Sequence, residues 1–443
     1  MRSLVIRSLA LLGLLGLTTS ACATVVRVSV DDAGVEANDH SVGAGLSSDG
    51  RSVVFTSPAS NLVPGDSNGV DDVFVHDAAT ATTTRVSVSN TGAQAPRVSR
   101  GGVISGNGRY VAFHTFSANL VSGDTNLVND VFVRDVVEET TTRVSLTDSD
   151  EESTGGATWP SISSDGRYVT FESRSANLVP GDANGERHVF LRDTVAGTTT
   201  RVSIDSNGEQ GNHLSAGSTV SNDGRYVAFQ SHASNLVPGD ANGFRDVFVH
   251  DTLTGTTDLV SVGGAGAGAN HESGPAQISG DGRFVVFISD ASNLVAGDTN
   301  GARDAFVRDL ASGTTVRVSL GDTDAQASAS SSFPAISSDG RYVTFSSPAS
   351  DLVAGDTNDE YDIFVRDLLE GTTTRVSVAS SGAQATGGPS LGTAVSADGG
   401  AIAFTSYATN LVPGDTNRFA DVFLWRRSEP VAAASGRPSH VAE

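Results

Sequence analysis

Seven copies of one nine-residue phrase divide this chain: NLVPGDSNG (61–69), NLVSGDTNL (119–127), NLVPGDANG (177–185 and 235–243), NLVAGDTNG (293–301), DLVAGDTND (351–359) and NLVPGDTNR (410–418). Their shared aspartate falls at Asp66, Asp124, Asp182, Asp240, Asp298, Asp356 and Asp415, a spacing of 58 residues that becomes 59 once. A fixed period of this length marks a repeat architecture. Each unit is too small to bury its apolar face alone and must do so against a neighbour.

Within a unit the apolar residues alternate in short runs separated by turn residues, the pattern of strands. Unit two shows four: Val103–Ser105, Arg109–Phe113, Asp130–Asp135 and Thr142–Leu146, here a, b, c and d, with the long repeated phrase between b and c. Strand b carries Phe55, Phe113, Phe171, Phe229, Phe287, Phe345 and Phe404, and strand c carries Phe74, Phe132, Phe190, Phe248, Phe306, Phe364 and Phe423. Aromatic residues on one clock mean that successive small sheets stack face to face. Beyond the first 23 residues no helical period is sustained.

Four-stranded sheets in series close radially into a β-propeller or stack as an open solenoid. The two ends of the repeat favour closure. The opening segment Val26–Val30 has the form of a strand d but precedes the first strand a, and the last unit stops after strand c at Asp421–Trp425. The opening strand can therefore complete the last sheet, leaving only short, protected edges. The expectation is all-β: a seven-bladed propeller over residues 24–426, after a leader (1–23) and before a disordered, Ala/Ser/Pro-rich tail (427–443).

The Ser-x-Asp-Gly-Arg turn (Ser163–Arg167), the Asp-Val-Phe-Val-x-Asp strand (Asp246–Asp251) and the Thr-x-Arg-Val-Ser strand together resemble the TolB-like, or PD40/WD40-like, propeller repeats of bacteria. The resemblance covers nearly the whole chain after the leader. It implies an envelope or secreted propeller that works by binding other proteins. TolB itself has six units and a separate N-terminal domain, so its particular partnership is not implied.

Arg2 and Arg7 followed by the apolar Leu9–Leu17 and small residues to Ala23 read as a secretory leader, too short for a comfortable membrane span. Two processing routes stay open. Cleavage at Ala21-Cys22-Ala23 releases a soluble protein, and lipidation at Cys22 anchors it, the one route to a membrane. The expected location is exported: periplasm, envelope or extracellular space. The formal charge of −23, with no lysine, opposes nucleic acid and anionic lipid. It leaves a protein or glycan as the expected partner of a monomer. One cysteine allows no internal disulfide.

In a meander the d–a and b–c connections share one face, here the top. Three candidates for chemistry lie there. The D-x-N-x-x-x-D loops (Asp66, Asn68, Asp72; Asp240, Asn242, Asp246; Asp298, Asn300, Asp304) carry oxygen at a spacing that can wrap calcium, a hard cation of six to eight oxygens. The same residues also serve as turn caps. The d–a loops carry Glu209, His213, His271 and Glu272, histidine being both ligand and base. Trp159 occupies the corresponding loop of unit three; it serves either as an exposed interface residue or as packing beneath that loop beside Pro160.

Arg51, Arg109, Arg167, Arg225, Arg283 and Arg341, one per unit, read as structural partners of carboxylates, and the serines at Ser47 and its six equivalents as hydrogen-bonding residues. His76 and His250 read as surface residues of strand c. The residues facing the axis (Gly45, Val103, Ser161, Thr219, Gln277, Ala335, Ala394) are mostly small or apolar, with no convergent acid or base. The expected function is a non-enzymatic scaffold that binds a protein or glycan through its top face. The alternatives are a metal-assisted polysaccharide lyase or hydrolase, and a calcium-stabilised structural protein.

Overall fold

The computed structural model describes residues 23–182, 184–264 and 266–428. Among these, 28 strands form seven four-stranded antiparallel sheets, and there is no helix. In blade one, strands a to d are Val42–Leu46, Ser52–Ser57, Asp72–Asp77 and Thr82–Arg85. Blade seven takes a, b and c from Ser390–Val395, Ala401–Ser406 and Asp421–Arg426. Its strand d is the opening segment Thr24–Arg27, with Arg27 opposite Phe423 and Thr24 opposite Arg426. The ring is closed as the split repeat requires.

The phenylalanines face each other across strands b and c and stack in every blade, with ring centroids 5.7–5.9 Å apart. The pairs pack toward the preceding blade: Phe113 and Phe132 with Val54, Val73 and Val75, and Phe171 and Phe190 with Val131 and Val133. Burying one such side chain is worth about 1.5–3 kcal/mol, and the contact exists only between blades.

The Ser-x-Asp-Gly-Arg turn is held by its own polar side chains. Ser163 Oγ donates to Asp165 Oδ1 (2.6 Å) and accepts from the N–H of Tyr168 (2.9 Å). Arg167 then forks onto Asp193 (2.9 and 2.6 Å), and its guanidinium lies 4.8 Å over the Tyr168 ring. The Arg167 hydrogen bond is the largest cause holding the Asp193 carboxyl down at about 2. The same fork recurs at Arg51, Arg109, Arg225, Arg283 and Arg341, so these arginines are structural.

Three local expectations need correction. Strand d ends at the arginine: Thr140–Arg143 in blade two and Thr24–Arg27 at the start, not Thr142–Leu146 and Val26–Val30. Beyond it the chain crosses toward the next blade, and Leu146 and Val30 make isolated bridges. Strand a is longer than Val103–Ser105, running Ser99–Ile104, because a bulge carries the strand through Gly101 and Gly102. His76 and His250 are buried, each with Nδ1 2.9 Å from a threonine hydroxyl (Thr83, Thr257), because the preceding blade's turn covers strand c.

Candidate functional site: the funnel on the loop face

Every strand a is broken by a bulge near its top end, and every bulge contains a residue of positive φ. In blades one, two, four and seven it is Gly43, Gly101, Gly217 and Gly392, and in blade five Gly274. Glycine is the residue that adopts this geometry without penalty. Blades three and six place Trp159 (φ 50°) and Phe333 (φ 49°) there instead. Bulky side chains in the left-handed region are outliers. Both are exposed, Trp159 by 55% and Phe333 by 51%.

These bulges ring the mouth of the central channel. Two cavities of about 530 and 580 Å³ open there and share the wall made by Gly43, Ala44, Trp159 and Pro160. The first reaches across the axis to Phe333 and contains Glu172, Arg187, Gln230 and Gln277. The second runs past Asp71, Arg100 and His40. Trp159 therefore belongs to strand a (Ala157–Ile162), not to the preceding loop, and its ring is exposed while Pro160 is buried.

The polar groups of the funnel come from strand a (Arg100, Gln277), strand b (Glu172, Gln230) and the b–c loops (Asp71, Arg187). Glu172 is buried at 3% exposure, accepts the N–H of Gly217 (2.7 Å) from the next blade, and receives Arg187 Nη1 at 3.1 Å. Burial pushes its carboxyl up, opposed by those two donors. His114, one blade back at the same strand position, stands beside Trp159 (ring centroids 5.5 Å), and its Nδ1 accepts the Trp159 N–H at 3.4 Å. Burial, with the Arg100 charge, pulls His114 down to about 4, so it stays a neutral acceptor. Arg100 Nε reaches Asp71 at 2.5 Å.

Of the residues singled out in the sequence, Trp159 lines the funnel; Glu209, His213, His271 and Glu272 do not. His213 is exposed beside His232 (5.6 Å), its Nδ1 accepting the N–H of Leu214. His271 stacks on Phe244 (4.9 Å), and Glu272 lies 3.5 Å from Arg245. Glu209 is exposed and its N–H donates to Asp205. Cys22 lies outside the described residues.

Phe333, Glu172 and Arg187 were not singled out. The axis is thus less bland than the inward positions of strand a implied, because the bulge opens strand b to the funnel. The signal was a departure from the repeat: Phe333 stands where four units have glycine (Gly43, Gly101, Gly217, Gly392), and Glu172 where the others have Thr56, His114, Gln230, Ile288, Ser346 and Thr405.

In the loops read as calcium candidates, Asn68 and Asn300 donate through Nδ2 to Asp72 (2.7 Å) and Asp304 (3.0 Å), and also to the carbonyls of Ala95 and Ala327. The arginine ending strand d enters the same place. Arg85 Nη1 lies 3.0 Å from Asp66 and 3.5 Å from Asp72, and Arg317 Nη1 lies 3.3 Å from Asp298 and 2.9 Å from Asp304. Blade four differs. Leu259 stands at the arginine position, and Asn242 donates to Asp246 at 2.6 Å. Asp246 is pushed up to about 6, first by burial. Among the described residues, the one group of three His, Cys, Asp or Glu side chains with ligand atoms within 4.8 Å is Glu36, Asp415 and Asp421, and Arg27 Nη1 contacts all three.

No family model and no curated protein matches the chain. Among solved structures, an oligogalacturonate lyase in complex with manganese is similar at 14% identity and TM-score 0.56, covering 93% of this chain and 95% of that one. The propeller domain of the Trilobed protease from Pyrococcus furiosus is similar at 10% identity and TM-score 0.52, covering 87% and 95%. TolB from Acinetobacter baumannii is similar at 12% identity and TM-score 0.41, covering 76% of this chain, which spans 63% of that protein's length. At these identities the likeness is one of fold. The chain is a seven-bladed β-propeller, the fold that its repeat led one to expect.

Proposed function

We propose that this protein is a non-enzymatic binding scaffold that holds a partner, protein or glycan, at the funnel of its loop face. The observation that carries this reading is the placement of Trp159 and Phe333. Two large apolar rings stand exposed at the channel mouth, at backbone positions where five of seven blades use glycine. A non-glycine residue in such a conformation costs on the order of 1–3 kcal/mol, and such outliers concentrate at functional positions. Cavities of this size, with aromatic walls and a few convergent polar groups, are the usual form of a ligand site.

The leader-like residues 1–23 support an exported location, and the net charge of −23 disfavours nucleic acid as the partner. No helix of the described residues is long and apolar enough to cross a membrane.

The test is affinity capture from the envelope and medium fractions on immobilised protein, scoring both proteins and glycans. Wild type is compared with Arg187→Ala combined with Trp159→Gly. The reading expects a ligand that wild type retains and the double variant releases. Identical captures by the two would overturn it.

A further inference from the structure

We propose that the ligand of the funnel is an uncharged oligosaccharide, gripped between the rings of Trp159 and Phe333. This rests on the funnel being the recognition site, and it names the chemistry of what enters.

The two rings project from blades three and six, on opposite sides of one cavity of about 530 Å³. Their backbones are held in the inner strands of a closed ring, so their separation is built in before any ligand arrives. Such rigidity suits a ligand that offers flat apolar faces at a fixed repeat. A pyranose does so, because its axial C–H groups present an apolar face to an aromatic ring while its hydroxyls point outward around the rim. The aromatic ring brings large contact area with little conformational freedom to lose.

Between the rings the polar groups suit hydroxyls. Gln230 and Gln277 each carry both a donor and an acceptor on one planar group. Arg187 is half-exposed and spends one nitrogen on Glu172, leaving others for oxygen acceptors. A hydroxyl both donates and accepts, so it can satisfy either kind of partner. Elsewhere the wall is Gly, Ala, Ser, Thr and Pro. Large apolar pockets, which a peptide side chain would need, are not among these lining residues.

Charge decides between neutral and charged sugars. The charged pairs of the funnel are matched within the chain: Glu172 with Arg187 and Asp71 with Arg100. There is no surplus of either sign inside to recruit an ion. The molecule as a whole, at −23, repels an acidic saccharide. A neutral chain meets neither obstacle.

The chain has two tryptophans, and Trp425 is buried at 4%, so Trp159 supplies the solvent-sensitive fluorescence. The full chain is titrated with neutral hexasaccharides of gluco, manno, galacto and xylo type, with hexagalacturonate and with hexa-arginine. At least one neutral hexasaccharide is expected to shift Trp159 emission to the blue, with the two charged probes inert. Titration calorimetry on Trp159→Gly and Phe333→Gly should then show binding weakened about tenfold or more by each. Glycine suits the φ of both positions, so the melting temperature should hold or rise, separating lost binding from lost fold.

The proposal is overturned if none of the four neutral probes binds, if hexagalacturonate or hexa-arginine binds instead, or if Phe333→Gly leaves affinity unchanged. If the neutral probes fail while the double variant still loses a captured partner, the sugar assignment falls and the scaffold reading stands.

Discussion

Arg27 and Asp421 stand 394 residues apart in sequence and 3.2 Å apart in space. That contact joins the opening strand to the closing blade. Arg27 Nη1 also lies 2.7 Å from Glu36 and 3.6 Å from Asp415, and Ser29 Oγ donates to Asp421 Oδ1 at 2.6 Å. Burial and the neighbouring carboxylates push Asp415 up to about 6 even with the guanidinium present.

Arg27→Ala should therefore cost about 3–5 kcal/mol at neutral pH, because it strands buried carboxylates without their cation. Urea unfolding measures this. The cost should shrink toward pH 5, where Asp415 takes up its proton. Because the three ligand atoms already lie within 4.8 Å, millimolar calcium should raise the melting temperature of the variant more than that of wild type. A variant as stable as wild type would show that the latch does not depend on this cluster.

Blade four offers the reverse experiment. Leu259→Arg places a guanidinium where the other six units already have one, beside Asp240 and Asp246. An acid with a raised folded pKa loses stability as pH climbs from its unfolded value to its folded one. Asp246, at about 6, therefore weakens the wild type across the range from about 4 to 6. The arginine should lower that pKa and return about 1–2 kcal/mol at pH 7. Below pH 4 both forms are protonated and the gain should vanish. A gain independent of pH would point to packing instead of charge.

Gly166 sits at φ +83° in its turn, and a Cβ there would fall 2.1 Å from Tyr110 Cδ2 of the preceding blade. Gly166→Ala should destabilise by about 2–4 kcal/mol, combining left-handed strain with overpacking. Gly181 also has positive φ but nothing within 4 Å of its Cβ, so Gly181→Ala should cost only about 1–2 kcal/mol. Thermal melts of the pair separate the two effects.

Phe229 is fully buried against Phe248 and the valines of blade three. Phe229→Ala should cost about 3–5 kcal/mol. If the ring stacks as one cooperative unit, unfolding should stay a single transition by fluorescence and circular dichroism alike. A separate early transition would mean that blades three and four open independently.

The 58-residue clock, the paired phenylalanines and the split strand d were enough to determine the fold, the blade number and the closure, because these depend on periodic burial and strand pairing, which a sequence writes residue by residue. The forks of Arg167 and its equivalents were legible for the same reason. The funnel was not. Trp159 and Phe333 are 174 residues apart, and only the ring sets them on one cavity. Glu172 looks like any other residue of strand b until the bulge in the adjacent strand sets it on the wall of the funnel. The arginine that enters six of the seven Asp–Asn loops comes from another strand of the blade, so spacing within the loop showed the carboxylates without their cation. Local repetition dictates the scaffold; which side chains share the axis is decided only by closure, since that is the step that brings residues from different units to a common centre.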